Sequence, residues 1–278
     1  ARRDRSSVPV RLMRLSIDHR TLYRFSEPQS RLVQMLRMTP ENHHDQTVAT
    51  WRIDVDCDAR MRDARDGFGN ATTMLYVDGP VDAVEITVTG EVLTSHSNGV
   101  LHGVTEIFPA ALFLRSTAVT PVDAGIAAFA DDAAGAERAL GSLHRINEAL
   151  HARFTLDPAR PQPGRTAAAA FAHDSATARD LAQMFLVAAR HRGSPARYVS
   201  GYRLAGQEGL SAPHGWAEAY VDTIGWVAFD PSTGRCPEDD HVRVAVALDS
   251  VGAAAVAGSR LGEGSERLDV DITVSEAQ

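Results

Sequence analysis

The chain has 278 residues, of which 44% are hydrophobic and 23% charged, and its formal net charge is −8 at pH 7. This length accommodates one large or two modest domains, each with its own core. An acidic chain with charges of both signs interspersed is a poor match for nucleic acid or an anionic membrane as the main partner. No apolar run reaches the roughly 20 residues that a membrane-spanning helix needs. We therefore expect neither a nucleic-acid partner nor membrane association.

The first twelve residues, ARRDRSSVPVRL, lack the apolar segment of a secretory signal. The first clear strand pattern opens at Met13. We therefore expect a disordered extension over residues 1–12 and a first domain that begins at residue 13.

The chain contains two cysteines, Cys57 and Cys236. Two scattered cysteines make neither a disulfide framework nor a zinc site. We expect free thiols in a reducing, cytoplasmic location.

Residues 13–118 alternate between apolar and polar side chains with a period of two. The clearest runs are MRLSIDHRTLYRF, WRIDVDC and VEITVTGEV. This is the pattern of half-buried antiparallel strands, and turn signals occur at DGFGN (66–70) and DGP (78–80). The pattern predicts an N-terminal antiparallel β-sandwich domain.

From residue 119 onward the pattern becomes mainly helical. TPVDAGIAAFA predicts a helix with Thr120 as its N-cap and Pro121 in its first turn, and residues 135–152 predict a second helix. Residues 178–192 predict a third, which Gly193 and Pro195 would end. The strands that follow read ARYVSGYRL, PHGWAEAYV, GWVAFD, VRVAVAL and LDVDITV. We assign 119–278, with its C-terminal strands, to one α+β domain.

The segment from 178 to 248 resembles the bacterial transglutaminase-like superfamily, which has a papain-like thiol core. The resemblance rests on ARDLAQMFLVAARHRGSPARYVSGY, HGWAEAYV, GWVAFDPSTG and HVRVAVALD, in that order. HRTLYRF and RDGFGNATTMLYVDGP resemble the β domain that precedes this core in one bacterial branch. The resemblance implies an α+β fold, in which an N-terminal antiparallel β-sandwich is followed by a transglutaminase-like core.

The resemblance also implies a catalytic triad. Family enzymes place cysteine at the start of the helix, histidine in a following strand and aspartate in the strand after it. A helix N-terminus stabilises a thiolate, a nearby histidine shares its proton, and the acid orients that histidine. The matching positions here are Ala178, His214 and Asp230, so the nucleophile is missing.

Strand parity tests whether His214 and Asp230 can meet. A three-residue loop, 223–225, would pair Asp222 with Trp226. His214 lies eight residues before Asp222, and Asp230 four after Trp226. Both counts are even, which predicts that the two side chains share one face. A two-residue loop would place them on opposite faces.

Other residues are weaker candidates for the nucleophile. Thr177 and Ser175 sit where N-capping is the usual role of Ser and Thr, and a hydroxyl needs stronger activation than a thiol. We expect Cys236 to be a structural thiol and Cys57 to lie in the sandwich core.

We expect no metal site and no cofactor. His43, His44 and His241 lack partners at metal-ligand spacing in the sequence.

The surroundings of Ala178 also depart from the family pattern, which has a Gly-rich approach, then Gln-Asp, then often a histidine. Asp180 is retained, but several neighbours differ, which favours natural loss of the cysteine over its deliberate replacement. The main hypothesis is a catalytically inactive homologue that binds a peptide, an amide-bearing ligand or a partner protein in its cleft. The alternative is an active amide hydrolase or transamidase whose cysteine was replaced by engineering or whose nucleophile is an unrecognised Ser or Thr. A scaffold subunit whose sandwich carries the function is the third possibility.

Overall fold

A computed structural model describes residues 12–137, 139–204 and 213–277. The expected extension over residues 1–12 lies outside these ranges, apart from Leu12, which begins the first strand. None of the described helices has the length and apolar character needed to cross a membrane.

The N-terminal part of the chain forms an antiparallel sheet around two very long strands, β1 (Leu12–Leu36) and β4 (Ala71–Ser95). Strands β2 (Gln46–Val55) and β3 (Arg60–Arg65) pair with opposite ends of β4. Side chains from both ends of the long strands share one core, which includes Leu32, Leu36, Leu75, Val84, Ile86 and Val88. The predicted N-terminal antiparallel β domain is confirmed.

The second part combines helices with a four-stranded antiparallel sheet. A short 3-10 helix (Ala110–Leu114) leads into it, and its α-helices are α1 (Ala124–Ala134), α2 (Ala139–Arg153), α3 (Ala167–Phe171) and α4 (Ala178–His191). Two-residue strands β5 (Thr155–Leu156) and β6 (Ser175–Ala176) pair in parallel just before α4. The main sheet has the order β10-β7-β8-β9 and consists of β7 (Ala196–Arg203), β8 (His214–Val221), β9 (Gly225–Phe229) and β10 (His241–Ala247).

Helix α1 begins later than the sequence predicts. Its N-cap is Asp123, whose side chain accepts the backbone N–H of Ile126 at 2.8 Å. The Thr120 hydroxyl is instead hydrogen-bonded to Thr117 and to Arg190. Asp is at least as good a cap as Thr. The helix therefore begins after Asp123, whose side chain is available to cap it.

The two C-terminal strands pair with the N-terminal sheet. Strands β11 (Val256–Leu261) and β12 (Glu266–Glu276) both run antiparallel to β1. From the sequence we assigned them to the domain at 119–278. In the structure they pair instead with the edge of β1 that is not paired with β4. The chain therefore returns to its first domain after completing the second.

The two parts also share a core and hydrogen bonds. Leu15, Ile17 and Val92 of the first sheet pack with Tyr202 and Val242 of the second. At the free edge of β10, the Gln46 amide bonds both backbone groups of Arg243, and the Asn70 amide bonds both backbone groups of Val246. These side chains form hydrogen bonds with backbone groups at the edge of β10 that would otherwise be unpaired.

A buried ion network ties β7, β8 and β10 together. Glu218 accepts hydrogen bonds from Arg197 at 2.6 Å and from Arg243 at 2.7 Å. Arg197 also forms a two-pronged pair with Glu106, at 2.7 and 3.0 Å. Burial alone would raise the pKa of Glu218, but the charges and hydrogen bonds of Arg243 and Arg197 outweigh it and lower the pKa from 4.5 to about 2.

We predict that Glu218→Gln destabilises the protein by about 3–5 kcal/mol, because it leaves two arginines without their shared counter-charge. Urea unfolding at pH 7 measures this loss. Asp78→Asn is the control: Asp78 pairs with Arg31 and Arg60 at an exposed site, and its loss should cost less than about 1 kcal/mol. Equal losses in the two variants would contradict the stabilising role of the network.

The same variant predicts a pH dependence. Because the folded-state pKa of Glu218 is depressed, its contribution is fully present above pH 4.5 and declines as the pH falls toward about 2. The difference in unfolding free energy between the parent chain and Glu218→Gln should therefore be constant above pH 5 and shrink below about pH 4.5. A difference that stays constant through this range would show that the pKa is not depressed.

Candidate active site

The N-terminus of helix α4 is capped and partly buried. Thr177 is the N-cap: its hydroxyl accepts the backbone N–H of Asp180 and donates to the Asp180 carboxylate at 2.9 Å. The Asp180 carboxylate in turn accepts the Thr177 backbone N–H, which completes a capping box. Ala178 is the first helical residue and is partly exposed. The predicted start of the helix and its cap are therefore as expected.

His214 and Asp230 lie side by side, as parity predicts. His214 Nε2 is 2.9 Å from Asp230 Oδ2. The other carboxylate oxygen, Oδ1, accepts the backbone N–H and the hydroxyl of Ser232 at 2.9 and 2.7 Å. Burial opposes ionisation of Asp230, but His214 and His241 overcome it and hold the pKa of that carboxyl well below its usual range.

The strand register differs from the prediction by two residues. Tyr220 lies opposite Trp226, and Val221 opposite Gly225, so the three-residue loop is 222–224. Gly225 has a φ of +102°, a conformation that glycine adopts without strain. A shift of two preserves parity, which is why His214 and Asp230 still meet.

Tyr198 of β7 packs against the strand of His214. Its hydroxyl lies against Gly215, where an added Cβ would be 1.9 Å away. Burial raises the pKa of Tyr198. The close approach of the phenol therefore requires glycine at position 215.

The sequence analysis missed His241, the third member of the site. His241 Nε2 lies 3.2 Å from Asp230 Oδ2, and its Nδ1 lies 2.6 Å from Asp240 Oδ1. Burial would lower the pKa of His241, but the two carboxylates outweigh burial and raise it. The expectation that His241 lacks partners was wrong. Strand β10 pairs with β7 in the sheet, and in this arrangement His241, the first residue of β10, lies beside Asp230 at the end of β9.

The alternative nucleophiles are poorly placed. Burial, with a smaller effect from Glu238, raises the pKa of the Cys236 thiol to about 11, which leaves almost no thiolate at neutral pH. Burial also raises the pKa of Cys57, and both cysteines are free. Ser175 is exposed in β6, and the Thr177 hydroxyl is taken up by the cap.

Two neighbouring cavities lie between the first sheet and the main sheet of the second domain. One, of about 380 Å³, is lined by Arg65, Phe68, Glu106 and Arg197. The other, of about 50 Å³, is lined by Trp216, Glu218 and His241. Both share His43, whose pKa burial lowers to about 4, and Arg243.

A helix packed on an antiparallel sheet whose neighbouring strands bring a histidine and an aspartate together is the arrangement of a papain-like thiol fold, here preceded by a β domain. Residues 15–93 match the bacterial transglutaminase-like N-terminal region, and residues 127–231 match the transglutaminase-like superfamily core. These matches together span more than half of the chain, and the chain belongs to the transglutaminase-like superfamily.

Two known proteins are similar to this chain over nearly its full length. An uncharacterised protein of Mycobacterium leprae is 25% identical over 285 aligned positions, which cover 95% of this chain and 99% of that protein. A candidate cysteine protease from Cytophaga hutchinsonii superimposes with a TM-score of 0.74 at 17% identity, covering 96% of this chain and 92% of the other. That similarity shows a shared fold.

A third structure, the periplasmic domain of TgpA from Pseudomonas aeruginosa, has 16% identity over 77% of this chain and 87% of that chain. Its TM-score is 0.38.

We predict that Thr177→Ala destabilises the protein by about 1 kcal/mol, because it removes the N-cap of α4 and the donor to Asp180. Thr177→Ser is the matched control, since serine keeps the hydroxyl and should restore most of the loss. Denaturant unfolding of the three proteins measures both effects. If serine were as destabilising as alanine, the cap would not be the role of Thr177.

Proposed function

We propose that this chain is a catalytically inactive transglutaminase-like protein that binds a peptide or another amide-bearing ligand. The observation that carries the proposal is the methyl group of Ala178 at the helix position where the family reaction needs a thiol. A methyl group can neither attack a carbonyl nor share a proton with His214.

Two residues that could replace a thiol are poorly suited to that role, which supports the proposal. Cys236 has a strongly raised pKa, and the Thr177 hydroxyl is bonded to Asp180 rather than to His214. Loss of the nucleophile from a covalent catalytic unit lowers turnover by about 10⁶-fold. Binding and polarisation of an amide would remain possible without it.

The proposal of a ligand is supported by the cavities between the domains. The larger one combines the aromatic ring of Phe68 with the charged groups of Arg65 and Arg197. The lining is mainly polar, and its arginine side chains could donate hydrogen bonds to the oxygen of an amide.

We predict that the parent chain does not release ammonia from glutamine-containing peptides or incorporate a primary amine into them, whereas Ala178→Cys gains both activities. The gain follows from adding a thiol at a helix N-terminus beside an oriented histidine. Both assays are run with EDTA, so that a contaminating metal ion cannot inhibit a new thiol.

Two variants make this experiment specific. Ala178→Ser supplies a poor nucleophile of similar size and should stay inactive, and Ala178→Cys/His214→Ala should return to background. Turnover by the parent chain that is lost in Thr177→Ala would overturn the inactive assignment. A silent Ala178→Cys would contradict the placement of the nucleophile at residue 178.

Ligand binding is measured separately on the parent chain. Trp216 is a suitable reporter, because its ring lies 6.0 Å from that of His214 and 5.3 Å from that of His241. We expect glutamine-containing peptides to change its fluorescence more than peptides with glutamate at the same position. Identical, unsaturable responses to the two peptide series would count against amide recognition.

A further inference from the structure

Two imidazoles converge on one carboxylate oxygen of Asp230. Its Oδ2 lies 2.9 Å from His214 Nε2 and 3.2 Å from His241 Nε2, and the three ligand atoms all lie within 4.8 Å of one another. The side chain of His214 is 10% exposed, that of His241 is 4% exposed, and that of Asp230 is fully buried. Three potential metal ligands from three different segments therefore meet inside the protein.

The spacing suits a single metal ion. Zinc binds imidazole nitrogen at about 2.0–2.1 Å and carboxylate oxygen at about 2.0–2.2 Å, so two such donors on one ion lie roughly 3 Å apart. Both nitrogen–oxygen distances at Asp230 are close to that separation. Two imidazoles and a carboxylate are a donor set that zinc and other divalent first-row ions accept.

The groups behind the donors are also those of a metal site. Asp240 lies 2.6 Å from Nδ1 of His241, and a carboxylate behind a ligating imidazole orients its ring and raises its basicity. Ser232 holds Oδ1 of Asp230 through two hydrogen bonds. The supporting contacts thus leave Nε2 of His241 and Oδ2 of Asp230 directed toward each other.

We propose that His214, Asp230 and His241 form a binding site for a divalent transition-metal ion, with zinc as the ion that the donors favour. Two histidines and one carboxylate leave at least one coordination position open. His241 lies in the wall of the cavity of about 50 Å³, which is large enough for a water molecule.

The proposed metal site shares His214 and Asp230 with the proposed peptide-binding function, but it is measured without peptide. Zinc binding and peptide binding can therefore fail independently. A peptide assay in EDTA and a zinc titration without peptide separate the two.

The test is a zinc titration of the full-length chain after removal of metal with EDTA, with bound zinc quantified by equilibrium dialysis. We expect one zinc ion per chain and loss of this binding in His241→Gln and His214→Gln. Asp240→Asn should weaken the affinity about 10–100-fold, because it removes the carboxylate behind His241. Asp239→Asn removes the same charge from the neighbouring residue and should leave the affinity unchanged.

Cobalt substitution and a second histidine variant complete the test. Bound Co²⁺ should give visible ligand-field absorption that shifts in Asp240→Asn, which retains all three ligands even if the histidine variants fold poorly.

His44 and His102 are an exposed pair with ring centroids 6.3 Å apart and could bind zinc adventitiously. Absence of stoichiometric zinc in the parent chain would overturn the proposal. Zinc lost in His44→Ala but retained in His241→Gln would also overturn it.

Discussion

The buried carboxylate of Asp230 is the constraint around which the site is organised. A charge without exposed surface is tolerated only where donors surround it. Ser232, His214 and His241 contact its two oxygens, and the Asp230 backbone oxygen also accepts the N–H groups of the next turn. One residue thereby holds the end of β9, the turn that follows and two imidazoles. Movement of any of these elements would leave the buried carboxylate without one of its partners, which disfavours such movement.

Because of this constraint, the presence of a histidine–aspartate pair does not by itself show that the protein catalyses a reaction. Removal of either partner would leave a buried polar group unsatisfied, at a cost of about 1–3 kcal/mol or more for a charged group. Selection for stability alone could therefore retain His214 and Asp230 in a chain that has no catalytic sulfur. The neighbouring Glu218 network has the same property, since a single carboxylate there neutralises Arg197 and Arg243. Polar groups that resemble catalytic machinery are, in this protein, also paired buried charges whose loss would destabilise the second domain.

Local patterns in the sequence were sufficient to predict α4, its Thr177 cap and the strands that carry His214 and Asp230. Parity predicted their meeting even though the register was wrong by two residues, because side-chain direction repeats every two residues. The position of His241 depends on which strand lies beside β7, and spacing along the chain holds no such information. The pairing of β11 and β12 with β1 was missed for the same reason: alternation identifies a strand but not its neighbour.

The methyl group of Ala178 determines what His214 can do. Beside a thiol, the imidazole would exchange a proton with sulfur, and Asp230 would orient it for that exchange. Without the thiol, the His214–Asp230 contact remains, and His214 and His241 share one oxygen of that carboxylate. The capping box at Thr177 and Asp180 forms without any contribution from residue 178, so loss of the sulfur leaves the helix start intact. The same scaffold can therefore exchange a proton-transfer role for a ligand-binding one through a change at one side chain.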